Sequence, residues 1–205
     1  MKEKIEKKEQ ILETAAKLFL EKSIFEVDMK ELARMSGCGR STLYRYFPNK
    51  AEIVFALMMR DGRFYEKIEP VGMQFADGYA ELEWKLRSVL DMILSTPDYI
   101  DLMCAYDAYF RQEYPQGPNY EAYMRYISKN ELAKSTQAAI ERGLADGSIR
   151  YAGDTMLLAD SMVHALYGFA QRVLPREKFY RNEYGHARQM LQVQLELFLQ
   201  ALKNK

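Results

Sequence analysis

The chain has 205 residues with 48% hydrophobic and 13% aromatic content, enough apolar side chain for a substantial core and too much for a disordered protein. Lys plus Arg and Asp plus Glu stand at 29 each, which excludes a uniformly basic nucleic-acid coat, although the first fifty residues lean cationic and the remainder anionic. No run reaches the ~18 to 20 consecutive apolar residues of a membrane span, and Cys38 and Cys104, with neither metal-ligand spacing nor a signal peptide beside them, suit a reducing, cytoplasmic setting.

The opening EKIEKKEQ is a mixed-charge run expected on a solvated helix face, with a basic arm toward DNA as the alternative. Asp28 and Glu31 form a D-x-x-E capping pattern that predicts a helix from Met29, whose Met29, Leu32 and Ala33 share one face. Gly37 permits the sharp turn that ends it. In the short helix that follows, Leu43 and Phe47 lie on one face, leaving Arg40, Ser41, Thr42, Tyr44, Arg45 and Tyr46 around the rest. Pro48 breaks the chain and Asn49 is placed to cap a helix opening at Lys50, where a cation in the first turn opposes the macrodipole unless an anion such as a phosphate sits there.

Downstream the chain reads as helix, with no convincing strand. Ile53, Val54, Leu57, Met58 and Phe64 predict an apolar face from Lys50 to about Lys67, and Pro70, Gly72 and Gly78 mark a loop from Ile68 to Gly78. Helices are predicted from Tyr79 to Ser95, from Asp98 to Arg111, and from an Asn119 cap through to about Leu144, closed by the ADGSIR turn. Asp154 caps a helix from Thr155 to about Leu174, and a last helix runs from about Glu183 to Leu202 with Leu191, Leu195, Phe198 and Leu202 in one stripe that Val193, Leu197 and Leu199 broaden.

The stretches ILETAAKLFLEK, MKELA behind Asp28, SG, and STLYRYFPNKAEI, with Thr42 to Lys50 the most specific, resemble the DNA-binding domain of TetR-type transcriptional regulators over about Gln10 to Leu57. Gly39 stands where that pattern commonly has a Ser or Thr cap, and Ser23 where it has Gly. The resemblance implies an all-α fold: a three-helix helix-turn-helix domain over residues 1–49, a linker helix over 50–67, and an effector-binding, dimerising helical bundle over 68–205. It also implies a ligand-responsive repressor that binds a palindromic operator in double-stranded DNA as a homodimer, its recognition helices about 34 Å apart and their separation set by the linker helix. Among the DNA-contacting residues, Arg40, Arg45 and Thr42 are expected at base edges, with Lys30 a further candidate, and Tyr44, Tyr46, Lys50 and Ser41 at phosphates. The broad apolar faces of the last two long helices are either the centre of one bundle or the four-helix interface of two chains.

Tyrosines crowd the segment from Tyr99 to Tyr126. Trp84, Met103, Tyr106, Asp107, Tyr123 and His164 are the candidates for the wall of a pocket for a flat, hydrophobic or cationic effector, against the alternative of ordinary packing with wet hydroxyls. No motif calls for a metal or a cofactor. Two other readings remain: a DNA-binding protein whose C-terminal domain recruits a protein partner, and an all-helical enzyme, which would leave Thr42 to Lys50 unexplained.

Overall fold

A computed structural model describes residues 2–62, 68, 70–112, 114–129, 131–177 and 179–204, with side chains from residue 5 onward. The helices in chain order are α1 (Lys2–Glu21), α2 (Met29–Met35), α3 (Arg40–Tyr46), α4 (Lys50–Gly62), α5 (Gly78–Ser95), α6 (Pro97–Tyr109), α7 (Pro118–Ile127), α8 (Glu131–Asp146), α9 (Thr155–Glu177), α10 (Arg181–Tyr184) and α11 (Ala187–Leu202). Among the described residues there is no strand, and Ile149 and Lys203 form an isolated antiparallel bridge. The fold is all-α, as the periodicity predicts. No helix among the described residues is long and apolar enough to cross a membrane.

The chain divides into two compact units, one within Met1–Gly62 and Asp101–Lys129, the other within Arg63–Ile100 and Asn130–Lys205. This grouping differs from the linear division expected from the sequence. Leu102 and Tyr106, one helical turn apart on α6, are buried in the same core as Ile11, Phe19, Leu32, Leu43 and Leu57, so the aromatic segment joins the N-terminal helices.

Local signals in the first unit are largely realised. The Asp28 carboxylate accepts the Glu31 N–H at 2.7 Å, and this bond holds its pKa below the usual carboxylate value. Glu31 does not reach back to close the capping box; its carboxylate pairs with Lys22 at 2.6 Å instead. Gly37 takes φ +59° and makes the turn, Gly39 caps α3 without a side-chain bond, and Leu43 and Phe47 are fully buried. Asn49 Oδ1 accepts the Glu52 N–H at 3.0 Å and so caps α4. The expected continuation of α4 from 63 to 67, Phe64 included, lies outside the described residues.

The long helix expected from Asn119 to Leu144 is instead two helices, α7 and α8, with Ser128 at the C-cap of the first. Asn119 is not a cap. It lies inside α7, where its N–H donates to Glu52 Oε2 at 3.0 Å and its amide Nδ2 to the Glu52 carbonyl at 2.9 Å. Glu52, 3% exposed, thus takes the capping role from α4, with its carboxylate at the positive end of α7. The last helix likewise starts later than expected, because α10 ends at Tyr184 with Gly185 as its C-cap and α11 begins at Ala187.

In the second unit α5, α8, α9 and α11 enclose Leu82, Leu86, Ile93, Ile140, Leu166, Leu195 and Leu199. The first amides of α5 are satisfied from two directions: Asp77 accepts from Ala80 at 2.8 Å, Asp146 from Gly78 at 2.7 Å, and the Ser148 hydroxyl from Tyr79 at 3.0 Å. The bond from the Ser148 hydroxyl, followed by the backbone donors of Ser148 and Gly78, keeps the Asp146 pKa low.

Candidate nucleic-acid interface

The first unit presents α3 with its apolar side anchored and its polar side outward. Leu43 is fully buried and Phe47 closes the helix beneath Lys8, whose Nζ lies 5.7 Å from the ring centroid. Arg40, Ser41, Tyr44 and Arg45 are exposed, and Thr42 and Tyr46 are half-buried. Tyr46 packs against the core and the Arg45 guanidinium lies 5.7 Å from its ring centroid, which stiffens the arginine without taking its edge donors. Lys30 is exposed on the first turn of α2, and Arg34 on its last turn adds a cation that no sequence pattern singled out. The face therefore offers bidentate, hydroxyl and cationic donors from one short helix and its neighbour, the donor set that base edges and phosphates require.

Lys50 departs from its expected place at a phosphate. Its Nζ donates to the carbonyls of Ile24, Phe25 and Val27, the last at 2.7 Å, so the three donors of an ammonium are all engaged. Burial pushes its pKa down, opposed by the charge of Asp28. The side chain also lies 5.8 Å from the Tyr109 ring centroid, and that ring packs on Phe25 at 5.3 Å. A first-turn cation was expected to need an anion; three carbonyl dipoles meet that need from within the protein.

The six expected effector residues are divided between the two units. Tyr106 is buried in the core of the first unit, its hydroxyl 3.5 Å from Asp61 Oδ2. Tyr123 packs on Phe55 with centroids 5.6 Å apart, and burial raises its hydroxyl pKa. Met103 is half-buried and Asp107 exposed in the same unit. Trp84 belongs to the second unit and packs on Phe75 at 5.7 Å, and His164 there is exposed on α9 rather than set in an apolar wall. Three of these tyrosines pack around one phenylalanine: Phe55, stacked on Phe110 at 4.7 Å, has Tyr114 at 5.5 Å and Tyr120 at 5.7 Å besides Tyr123. Sequence reasoning missed Phe55 and Glu52 because an apolar and an acidic residue on an amphipathic helix carry no local sign of what will pack on them.

A helix-turn-helix with an outward cationic face, on an all-helical chain, defines the class: a DNA-binding domain joined to a helical bundle. The sequence model of the tetR family of bacterial regulatory proteins matches residues 11–57, so this segment is similar to the DNA-binding domain of that family. A helix-turn-helix-type transcriptional regulator of Staphylococcus aureus is 38% identical over 60 residues, covering 29% of this chain and 32% of that protein. The chain thus matches about a third or less of the length of its curated relatives. The whole fold is similar to that of Salmonella enterica GusR, with TM-score 0.69 and 16% identity over 96% of this chain and 95% of the other. It is also similar to Thermus thermophilus FadR, a tetR-family transcriptional repressor solved with lauroyl-CoA, with TM-score 0.60 and 16% identity over 97% and 96% of the two chains.

Proposed function

We propose that this protein is a transcriptional regulator that binds a palindromic operator as a homodimer and is released from it by a small-molecule effector taken up in the second unit. The observation that carries the DNA-binding reading is the exposed Arg40, Ser41, Tyr44 and Arg45 face of α3 within the matched domain. Arg40 and Arg45, with Thr42 beside them and Lys30 on α2, serve base readout; Ser41, Tyr44 and Tyr46 hold phosphates. Selection of bound fragments from the source genome at near-physiological salt tests it, with an Arg40→Ala, Tyr44→Ala double variant as control. A palindromic site recovered by the parent and lost in the control supports the reading, and no enrichment over the control overturns it. Arg45→Ala is expected to cost about 1–3 kcal/mol on the recovered site and to relax preference at one base position, whereas Tyr44→Ala weakens specific and random DNA alike. Competition titrations on both DNAs check this; equal losses in both variants would refute the division of roles.

The homodimer reading is supported by the second unit. Leu157, Ser161, His164 and Gly168 follow one another along the exposed side of α9, and Val193, Leu197 and Ala201 along that of α11. Leu157, Val193 and Leu197 are 65%, 59% and 61% exposed, a large apolar cost for a surface left in water. The two helices are joined by the Gln194 amide donating to the Ala165 carbonyl at 3.3 Å, so both stripes belong to one packed pair, as an isologous four-helix interface requires. Sedimentation of Val193→Asp, Leu197→Asp is expected to show monomer where the parent shows dimer, with operator affinity falling at least tenfold because two half-sites are no longer read together. A monomeric parent would overturn the homodimer reading. The effector reading is supported by the fold shared with a protein solved with an acyl-CoA, and a Tm rise on adding acyl-CoA or other apolar acids is its first screen.

A further inference from the structure

Two lysines outside the exposed α3 face hold α2 at its two ends. Ahead of α2, Lys50 Nζ gathers the carbonyls of Ile24, Phe25 and Val27, ending one residue before the Asp28 cap. Behind it, Lys7 Nζ on α1 donates to the Ser36 carbonyl at 3.2 Å and the Gly37 carbonyl at 3.1 Å, with its third donor on Gln10 Oε1 at 3.0 Å. Ser36 is the C-cap of α2 and Gly37 is the positive-φ turn into α3. Lys50 therefore spends three donors ahead of α2 and Lys7 spends two behind it, with its third kept on α1, and Lys7 also sits at the negative end of the α2 dipole.

Resting on the DNA-binding reading above, we propose that Lys7 and Lys50 are positioning residues for operator recognition, clamping α2 between them so that the turn delivers Arg40 and Ser41 to the DNA in one orientation. α2 and α3 are seven residues each, too short to hold their own geometry, and base readout tolerates only about 0.5 Å of misplacement. Neither lysine reaches a phosphate in this role: each of the three ammonium donors on both is already on an acceptor of the protein.

The conservative arginine variant separates the clamp from a phosphate contact. A guanidinium keeps the charge and binds phosphate well, but its planar fork cannot point three donors at three carbonyls from a single nitrogen. Lys50→Arg and Lys7→Met are expected to lower affinity for the selected operator roughly tenfold. Random-DNA affinity and the slope of log K against log salt stay at the parent value. Hydrogen exchange in the protein without DNA is expected to speed up at the Leu32, Ala33, Ser36 and Cys38 amides while α5 and α8 keep theirs.

Operator affinity of Lys50→Arg equal to the parent's would make Lys50 a phosphate ligand and overturn the clamp. Unchanged exchange along α2 in both variants would overturn it as well. If the parent enriches no operator, the DNA-binding reading fails by itself, and the exchange rates still decide whether the lysines hold α2. Should Lys50→Arg fail to fold, Lys7→Met, whose lysine lies at the rim of the core, carries the same comparison.

Discussion

Gly78→Ala is expected to destabilise the second unit by about 3 kcal/mol or more, lowering its thermal midpoint by roughly 10 °C. Gly78 opens α5, and a β-carbon there would lie inside contact distance of the Gly143 backbone nitrogen and Cα and 2.7 Å from the Arg142 carbonyl carbon. Backbone cannot rotate away as a side chain can, so α5 and α8 would have to separate. The separation spreads beyond the contact: the Gly78 and Tyr79 amides would leave Asp146 and Ser148, and the Arg142 to Glu81 ion pair at 2.8 Å would open. Differential scanning calorimetry reads the shift, and a change under about 1 kcal/mol would mean that the two helices do not approach so closely. Gly72→Ala makes the contrast: Gly72 has φ +74° but open space around it, so that variant meets backbone strain without a clash.

Phe55→Ala is expected to cost about 3–5 kcal/mol in the first unit, the range for emptying a fully buried phenylalanine. The ring is 0% exposed and is the common neighbour of Phe110, Tyr114, Tyr120 and Tyr123. None of the described residues of α7 is itself buried, so α7 is held to α4 by this ring and by the Glu52 cap on Asn119. Loss of the ring should therefore loosen α7 first. Urea unfolding gives the magnitude, and hydrogen exchange should show α7 amides exposed before those of α1 and α4. Exchange that rises uniformly across the unit would contradict the view that Phe55 acts as an attachment point.

The helix-turn-helix was legible in the sequence because its signals are local. A cap at Asp28, a positive-φ turn at Gly37, a cap at Asn49 and an apolar pair at Leu43 and Phe47 each act within four residues, and each is found where the sequence placed it. The Glu31 half of the capping box failed because Lys22, nine residues away, is a stronger partner than an uncharged amide. The break between α7 and α8 was missed for a related reason: the helical pattern runs through Ser128, and only the packing of α7 in one unit and α8 in the other divides it.

The expected effector wall shows the limit most clearly. Tyr106, Asp107 and Tyr123 follow one another closely in sequence, and so share a unit, but Trp84 and His164 belong to the other. Aromatic density in a sequence records how much flat surface is to be buried, not whether a ligand or another side chain buries it; here Phe55 does so.

By itself the sequence determined the all-α class, the helix boundaries of the DNA-reading motif and its outward donors, since these depend on propensity, capping and periodicity over a few residues. The tertiary structure alone decided that residues 101–129 join the N-terminal unit, that Glu52 caps a helix other than its own, and that Lys50 is spent on three carbonyls. Those outcomes turn on which burial and hydrogen-bond partners arrive from 23 to 67 residues away along the chain, and no local pattern carries that information.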